Sequence, residues 1–363
     1  MRYALIMAGG SGTRLWPMSH ENQPKQLIPF IRGKSLLAVA WERLEGLIPP
    51  ENRFICAGEK HRQLILDSLG IPARQFLGEP TGRDTLNALG YSAAVLAKED
   101  PHAVMAVFTA DHLIEPVDEF LTLVKKGFET AEAGEKTLVT FGITPTEPAT
   151  GFGYLELGGR LGPHARKVLR FREKPDVQTA GEFFRRGPEA YLWNSGMFVW
   201  RASDFLGCVK KFEPETWKEI EKIGQAWGTP EFTEVRNRIF PGLKKISVDF
   251  AVMEPASADP EYTVTAVPMP LRWLDIGSWP AFGDTCPEDS SGNRLGAGKN
   301  LLLDCTRTLT ASSDPDHLIT AIGCEDLIII HTPRATMVCP REMAQEIKKL
   351  HGLISEKFGR DYL

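Results

Sequence analysis

The chain has 363 residues, of which 42% are hydrophobic and 25% are charged, and this composition is typical of a globular protein with one large domain and a smaller one. The formal net charge of -5 gives no overall positive field, which argues against a protein that holds nucleic acid by its phosphates. The six cysteines are scattered, with no Cys-x-x-Cys pair and no histidine at zinc-ligand spacing, so we expect reduced thiols and neither disulfides nor a zinc site.

The first element is a short apolar run between Arg2 and Gly9. It is too short and wrongly flanked for a signal peptide. No apolar stretch approaches the roughly 18 residues that are needed to span a bilayer. We therefore expect a cytoplasmic protein with no membrane partner.

Up to about residue 145, short apolar runs alternate with helical patterns, which is typical of βαβ units and a mostly parallel sheet. The predicted strands cover residues 4–8, 54–57, 103–109 and 138–142, and the predicted helices cover residues 35–47 and 85–98. The central part mixes strands with helical stretches less regularly, and this predicts an insertion that covers one edge of the sheet. Its predicted elements are strands at 153–157, 168–171 and 196–200 and a helix at 203–223.

A turn-rich polar connector follows Cys286 and divides the chain into predicted domains of residues 1–286 and 287–363. The second domain contains predicted strands at residues 318–322 and 327–331. The chain ends in a predicted amphipathic helix, whose apolar face consists of Met343, Ile347, Leu350, Ile354 and Phe358.

The loop after the first predicted strand is rich in glycine and reads Gly9-Gly10-Ser11-Gly12-Thr13-Arg14-Leu15. Glycine lets the backbone approach a ligand closely and adopt positive φ, so successive N–H groups can point at phosphate oxygens. Arg14 and the nearby Lys25 add cations that would neutralise a triphosphate and the departing pyrophosphate. A plain strand-to-helix turn and a solvated surface lysine are the alternatives. The loop is not a Walker A motif, since no Gly-Lys-Ser/Thr ends it.

This segment resembles the signature of a known family. Residues 9–17, followed by Pro24-Lys25-Gln26, are similar to the signature of mannose-1-phosphate guanylyltransferases, within the wider sugar-phosphate nucleotidyltransferase superfamily. The first part of the motif is shared across the superfamily, whereas Trp16 and the Pro-Lys-Gln order indicate the guanylyl branch. The resemblance implies that the triphosphate is held by Arg14 and Lys25, and the nucleotide by Gly9, Gly10, Gly12 and Thr13.

Two aspartates end apolar runs far apart in the chain, Asp111 after residues 106–110 and Asp275 after residues 272–274. Open α/β sheets bind ligands at the carboxyl edge of their strands, and Mg²⁺ is typically held by one or two carboxylates plus substrate phosphates. Taken singly, each aspartate could instead be an N-cap or turn residue. The resemblance implies that both ligate the catalytic Mg²⁺. We interpret His112 as a neutral histidine with a backbone partner.

The sugar-phosphate side is predicted from Phe171-Arg172-Glu173-Lys174-Pro175. Glu173 can accept hydrogen bonds from sugar hydroxyls, and Lys174 can meet a 1-phosphate as a point charge. Adjacent Glu and Lys side chains otherwise simply face solvent. The segment is similar to the family's Phe-x-Glu-Lys-Pro motif, and the resemblance also assigns sugar recognition to Asn194, Asp249, Gly151 and Gly153.

One stretch departs from the family pattern. Relatives usually read Gly-Arg-Asn-Thr-Ala-Pro-Ala where this chain has Gly82-Arg83-Asp84-Thr85-Leu86-Asn87-Ala88. Because this stretch lies near the base and ribose in relatives, the departure leaves the guanine preference open. Arg83 and Thr85 are retained and are candidate nucleotide-binding residues.

The resemblance covers nearly the whole chain. It implies an α/β fold with a Rossmann-like, GT-A-like, mixed but mostly parallel sheet flanked by helices, and a small C-terminal left-handed β-helix. Arg334 departs from that pattern, since an aspartate is common at its position. The implied reaction is Mg²⁺-dependent transfer of GMP from GTP to α-D-mannose 1-phosphate, which gives GDP-mannose and pyrophosphate. The implied assembly is a homodimer.

Three alternatives stay open. The first is a relative that uses another sugar 1-phosphate, such as glucose or a heptose, or another nucleoside triphosphate. The second is a catalytically silent regulatory subunit that only binds nucleotide sugar. The third is a Rossmann dehydrogenase, which is disfavoured because the third glycine of the dinucleotide fingerprint is missing.

Overall fold

The computed structural model describes residues 1–10 and 12–363, so Ser11 of the glycine-rich loop lies outside the described residues. Contacts divide the chain into two compact units. The first unit comprises Met1–Gly9, Trp41–Thr109 and Ile114–Trp273, and the second comprises Gly10–Ala40, Ala110–Leu113 and Leu274–Leu363. Each unit thus combines separate segments of the chain. The predicted domain boundary between residues 286 and 287 divides the chain at a single point, and it stays a prediction.

From Arg2 to Ile143 the strands and helices largely alternate, as the sequence pattern predicts up to about residue 145. The strands are β1 Arg2–Met7, β2 Arg53–Gly58, β3 Phe76–Glu79, β4 Val104–Thr109, β5 His112–Glu115, β6 Thr137–Ile143, β7 Tyr154–Leu161, β8 Ala165–Arg172, β9 Tyr191–Arg201, β10 Thr263–Pro268, β11 Arg272–Asp275, β12 Arg294–Leu295, β13 Lys299–Leu303, β14 Leu309–Ser312, β15 Leu318–Ile322, β16 Leu327–Thr332 and β17 Ala335–Pro340. The α-helices are α1 Leu36–Glu42, α2 Arg62–Leu69, α3 Asp84–Glu99, α4 Val117–Ala133, α5 Val177–Arg186, α6 Ala202–Phe212, α7 Pro214–Ala226, α8 Phe232–Ile239, α9 Glu254–Ala258, α10 Trp279–Gly283 and α11 Ile347–Phe358.

A nine-stranded sheet in the order β3-β2-β1-β4-β9-β6-β10-β8-β7 forms the centre of the first unit. The strands β1 to β4 pair in parallel, as do β6 and β10, whereas β9 runs antiparallel to both of its neighbours β4 and β6. Parallel strands that are covered on both faces have continuous apolar runs, and residues 3–6 of β1 are accordingly buried. The predicted insertion at one edge is wrong for β9, which lies inside the sheet.

Two of the predicted helices have different bounds in the structure. The helix predicted at residues 35–47 ends already at Glu42. The helix predicted at residues 203–223 is two helices, since α6 ends at Phe212 and α7 begins at Pro214. Proline has no backbone N–H and fits only the first turn of a helix, so it starts a new helix there.

The second unit contains short parallel strands that repeat along the chain. The strand β13 pairs in parallel with β15, and β14 with β16, and in both pairs the partner residue lies 19 positions further on. A constant offset of this kind is produced by a backbone that winds in stacked coils, since each coil pairs with the next. The buried side chains of Leu309, Ile328 and Ile330 fill the interior of these coils.

The C-terminal helix differs from its prediction in length. Arg341–Glu346 is a 3-10 helix, and α11 begins only at Ile347. Ile347 is buried, but Leu350 and Phe358 are 40% and 57% exposed. No helix among the described residues has the length and apolar character that crossing a bilayer requires.

Candidate functional site

The glycine-rich loop adopts a backbone that only glycine takes up easily. Gly10 and Gly12 have φ values of 109° and 60°, in the region that is strained for other residues. A Cβ atom on Gly12 would collide with the hydroxyl of Ser19 and lie 3.1 Å from the Cβ of Lys25. Side chains at Gly12 are therefore excluded by conformation and by packing together.

Arg14 lies in the 3-10 helix Thr13–Leu15 that follows the loop. Its Nη1 donates to Oε1 of Gln345 at 3.2 Å. Its Nη2 would lie 3.1 Å from a Cβ atom built on Gly277, so the guanidinium packs against that glycine. Gly277 is two residues after Asp275, and the second unit thus holds a predicted cation beside a predicted metal ligand.

Lys25 forms an ion pair with Asp111 within the second unit. The lysine is only 8% exposed, which is unusual for this residue type unless it is paired. Asp275 is brought to the same place by the backbone, since the N–H of Ile276 donates to the carbonyl of Asp111 at 3.0 Å. One oxygen of each aspartate and one ring nitrogen of His112 lie within 4.8 Å of one another.

The two aspartates have opposite pKa shifts. Burial raises the pKa of Asp111, but the charges of Lys25 and His112 outweigh it and leave the pKa below its ordinary value. Burial, together with the negative charge of Asp111, raises the pKa of Asp275. The pair therefore consists of one carboxylate that a cation already stabilises and one that still requires positive charge.

These side chains fit a divalent cation. Oδ1 of Asp275 is buried and has no hydrogen-bond partner among the described residues, although a buried charged oxygen is costly unless something compensates it. Two carboxylates beside one imidazole offer the oxygen-rich donor set that hard divalent ions prefer. The structure thus brings together all of the predicted metal and triphosphate residues of the second unit.

The predicted sugar-phosphate residues form a separate group within the first unit. Glu173 is 7% exposed, and its carboxylate pairs with the ammonium of Lys174. The backbone N–H of Glu173 donates to Oε1 of Glu254 at 2.9 Å. Burial lowers the pKa of Lys174, but Glu173 outweighs it and raises the pKa above its ordinary value, so Lys174 stays a cation at neutral pH.

Asn194 and Asp249 belong to the same group. Oδ1 of Asn194 accepts from the hydroxyl of Thr140 at 2.7 Å, and its Nδ2 donates to Oδ1 of Asp249 at 3.1 Å. This orients the amide. Burial, and then the charge of Glu173, raises the pKa of Asp249 to about 7, so its proton is available for exchange at neutral pH.

Gly151 and Gly153 differ in their surroundings. A Cβ atom on Gly153 would lie 2.6 Å from Oε2 of Glu173, whereas a Cβ atom on Gly151 would have no neighbour within 4 Å. Gly153 therefore lets the Glu173 carboxylate lie against the backbone, and Gly151 borders open space. Between them, the ring of Phe152 packs against Trp193 and Trp273 with centroid distances of 5.0 and 5.2 Å.

Arg83 and Thr85 contact the main chain of the first unit. The guanidinium of Arg83 donates to the carbonyl of Pro241, and the hydroxyl of Thr85 accepts from the N–H of Val248 at 2.9 Å. These bonds fix the start of α3 to residues 241–248. The structure does not place either side chain in contact with the glutamate, lysine and asparagine of the sugar-phosphate group.

Two supporting residues had no signal in the sequence. Thr140 orients Asn194 from 54 positions away, and Glu254 holds the backbone of Glu173 from 81 positions away. Glu79, at the end of β3, is a buried carboxyl that the motifs did not single out. The available clues were its place at the end of a buried strand and at the start of the stretch 79–88, which resembles a family segment.

Comparison with known proteins identifies the family. The nucleotidyl transferase family model matches residues 3–291. The chain belongs to the nucleotidyl transferase family. The MannoseP isomerase/GMP-like β-helix domain matches residues 298–352 of this nucleotidyl transferase, and together with the sheet this confirms the predicted mixed α/β fold with a C-terminal β-helix.

Curated relatives cover nearly the whole nucleotidyl transferase. Xanthan biosynthesis protein XanB of Xanthomonas campestris pv. campestris is 36% identical over 350 residues, which are 95% of this chain and 72% of the relative. Mannose-1-phosphate guanylyltransferase RfbM of Salmonella typhimurium is 35% identical over 364 residues, which are 99% of this chain and 73% of the relative. A crystal structure from Thermus thermophilus, described as a mannose-1-phosphate geranyltransferase, superposes with a TM-score of 0.86 at 28% identity and covers 98% of this chain and 99% of its own.

These findings confirm the predicted class of enzyme. The nucleotidyl transferase catalyses nucleotidyl transfer to a sugar phosphate. The grouping of Asp111, His112 and Asp275 matches the use of a divalent metal by this family.

Proposed function

We propose that the protein transfers GMP from GTP to α-D-mannose 1-phosphate and releases GDP-mannose and pyrophosphate, with Mg²⁺ as the divalent cation. The observation that carries the proposal is the meeting of Lys25, Asp111 and Asp275, three side chains far apart in sequence, in one group beside the glycine loop. The names of relatives such as RfbM support the choice of GTP and mannose 1-phosphate.

The reaction forms a bond between a phosphate oxygen of mannose 1-phosphate and the α-phosphorus of GTP. The bond from that phosphorus to the bridging oxygen breaks, and pyrophosphate leaves with the electron pair. A phosphate monoester has a second pKa of about 6, so the nucleophile is already mostly ionised at neutral pH. No general base is therefore required. Catalysis thus consists of positioning and charge neutralisation.

Apart from Gly9, which belongs to the first unit, the groups that hold the triphosphate belong to the second unit. The N–H groups of Gly9, Gly10, Gly12 and Thr13 cradle phosphate oxygens, while Arg14 and Lys25 neutralise the charge that develops on pyrophosphate. Asp111 and Asp275 would hold Mg²⁺, which when bound would polarise a phosphoryl oxygen and stabilise the negative charge that develops there.

The first unit supplies the groups that hold the sugar phosphate. Lys174 is the cation that meets the 1-phosphate, since its side chain is 59% exposed although it pairs with Glu173. Glu173 and Asp249 accept from sugar hydroxyls, and Asn194 both accepts and donates. Gly151 and Gly153 leave room for the sugar ring, and Arg83 and Thr85 fix the start of α3 beside the nucleotide.

A substrate panel tests this function. Pyrophosphate release is measured with each of four nucleoside triphosphates against the 1-phosphates of mannose, glucose and a heptose, in saturating Mg²⁺. We expect the highest kcat/KM for GTP with mannose 1-phosphate. A higher value for another pair would replace the proposed substrates, and binding of GDP-mannose without product formation in any pair would indicate a silent regulatory subunit.

We also infer a homodimer. The helix α11 exposes Leu350, Leu353 and Phe358 by 40%, 52% and 57%, and an apolar helix face of this kind is commonly covered by a partner. Light scattering at the working concentration measures the assembly directly. A monomeric mass would refute the inference.

A further inference from the structure

The segment that contains β7, β8 and α5 carries an excess of positive charge. Residues 154–191 hold eight lysines and arginines and five acidic residues, which gives this segment a formal charge of +3. The whole chain has a formal charge of -5, so the remaining residues carry -8. Positive charge is thus concentrated on one part of the first unit, and such a concentration attracts partners of the opposite charge.

Three arginines of this segment have unpaired side chains. Arg170, Arg172 and Arg185 are exposed, and among the described residues their guanidinium groups have no hydrogen-bond or ion-pair partner. The acidic residues of the segment are already engaged elsewhere. They contact other groups as follows: Glu156 pairs with Arg186, Glu173 with Lys174 and Glu189 with Arg166, while Asp176 accepts from the N–H of Thr179 and Glu182 from the amide of Gln178. The three free cations are therefore available to an external partner.

The strand register places two of these arginines on the same face as α5. Across the β7–β8 pair, Arg170 lies opposite Glu156, and Arg172 lies opposite Tyr154. Residues two apart in a strand point to the same face of the sheet. The helix α5 packs on this face, since the ring of Phe183 lies 5.3 Å from that of Tyr154 between centroids. Arg170 and Arg172 thus lie beside the helix.

The last turn of α5 brings Arg185 and Arg186 to the same place. The guanidinium of Arg186 lies over the ring of Tyr191, 4.7 Å from its centroid. Burial and the charge of Glu156 raise the pKa of Tyr191, and the charges of Arg186 and Arg170 act against them, so both arginines lie near one ring. We call the surface formed by Arg170, Arg172, Arg185 and Arg186 the basic surface.

The helix α5 adds apolar side chains to the basic surface. Val177 and Phe184 lie seven residues apart and so share one flank of the helix, where they are 77% and 37% exposed. Between them lies Gly181, and a Cβ atom built on it would be 3.7 Å from Nη1 of Arg185. Exposed apolar groups and a free cation are therefore neighbours on this helix, an arrangement typical of helices that lie in a membrane interface.

We propose that the basic surface binds the anionic face of a phospholipid membrane. The arginines would contact lipid phosphates, and Val177 and Phe184 would enter the boundary between headgroups and acyl chains. This is binding at the lipid surface, since no helix among the described residues has the length and apolar character to cross a bilayer. The exposed apolar side chains favour a lipid over a nucleic acid, which offers phosphates but no apolar layer. The inference does not depend on the proposed substrates.

Co-sedimentation of the full chain with vesicles tests the proposal. One set of vesicles contains equal parts of phosphatidylglycerol and phosphatidylcholine, and the other contains phosphatidylcholine alone. At low salt, we expect at least about tenfold tighter binding to the anionic vesicles, because each cation near an anionic surface contributes several-fold to the affinity. Salt at about 1 M should weaken this binding, since it screens charges beyond about 3 Å. Equal binding to both sets, or none to the anionic set, would overturn the proposal.

A double substitution, Arg170→Gln with Arg185→Gln, tests the assignment of the surface. The loss of two cations should weaken binding to anionic vesicles by about twentyfold, at about fivefold for each. The control is Arg74→Gln with Arg238→Gln, which removes two exposed arginines of the first unit outside the basic surface and should stay within about twofold of the wild type. Equal losses in the two double variants would indicate attraction by total charge alone and would refute the proposed surface.

Phe184→Ser distinguishes a lipid surface from other polyanions, because it keeps every charge and removes an apolar ring. We expect vesicle binding to weaken by at least about tenfold. Val177→Ser, at the more exposed position, should also weaken it and provides the same test if Phe184→Ser fails to fold by circular dichroism. If both serine variants bound vesicles like the wild type, and the wild type bound duplex RNA more tightly than vesicles, the partner would be a nucleic acid and the proposal would be wrong.

Discussion

The buried Glu79 carboxyl should make the stability of the protein depend on pH. Burial, reinforced by Asp84, raises the pKa of Glu79 from 4.5 to about 7. The folded protein therefore binds this proton more tightly than the unfolded chain does. The resulting contribution to stability is fully present below about pH 4.5 and is lost as the pH rises through about 7.

The magnitude follows from these two pKa values. At about 1.4 kcal/mol per pH unit, the contribution is about 2 kcal/mol at pH 5.5 and nearly zero at pH 8.5. Glu79→Gln removes the titration but keeps the size of the side chain. The stability of the variant relative to the wild type should thus increase by about 2 kcal/mol between pH 5.5 and pH 8.5.

Urea unfolding at the two pH values, followed by tryptophan fluorescence, measures this change. The buried Trp200 belongs to the core of the first unit, which contains Glu79, and Trp16 and Trp279 belong to the core of the second unit, so the signal includes both units. Glu51→Gln, which changes an exposed carboxyl before β2, is the matched control and should give the same difference from the wild type at both pH values. A pH-independent difference for Glu79→Gln, or one that favours the wild type more at pH 8.5, would refute the reasoning.

Four further substitutions test the two groups of site residues. Asp275→Asn should weaken Mn²⁺ binding in a titration and lower kcat by at least about a hundredfold; near-normal turnover in saturating Mg²⁺ would remove this aspartate from the metal site. Lys174→Met should raise KM for the sugar phosphate by about tenfold or more and leave KM for GTP within about twofold, because it removes a charge-assisted hydrogen bond. Gly153→Ala should raise the same KM because its methyl group would displace Glu173, whereas Gly151→Ala, with open space around it, should not; equal effects would contradict the packing argument.

The parts of the site that lie within short motifs could be predicted from sequence. The backbone of Gly10 and Gly12 has positive φ. Because glycine is the residue that adopts this conformation without strain, the glycines in the sequence indicate it directly. Asp111 comes two residues after the buried strand β4, where the carboxyl-edge rule predicts a ligand-binding residue. Asp275 is instead the last residue of β11, a partly exposed strand that pairs with β5 outside the nine-stranded sheet, so the rule does not account for its position beside Asp111. These features depend on local conformation and on the general geometry of parallel sheets.

The parts that depend on long-range packing could not be predicted. Nothing in the sequence around β9 shows that it lies antiparallel between β4 and β6, because a buried strand is apolar in either direction. The same limit applies to Thr140, whose hydroxyl orients Asn194. The hydroxyl of a threonine in a buried strand can also hydrogen-bond to a nearby backbone group. The sequence therefore does not show that Thr140 bonds a side chain on another strand, which only the pairing of the strands reveals.

The departures from the family pattern after Arg83 have a structural explanation. Leu86 and Asn87 are fully buried in α3, and the amide of Asn87 donates to the carbonyls of Arg83 and Lys244 at 2.6 and 2.7 Å. Both side chains thus fix a helix and are withdrawn from any ligand. Asp84 is exposed, and its Oδ1 accepts from the N–H of Thr85 at 2.9 Å. Asp84 carries a negative charge near Glu79 and adds to the effect of burial in raising the pKa of that carboxyl.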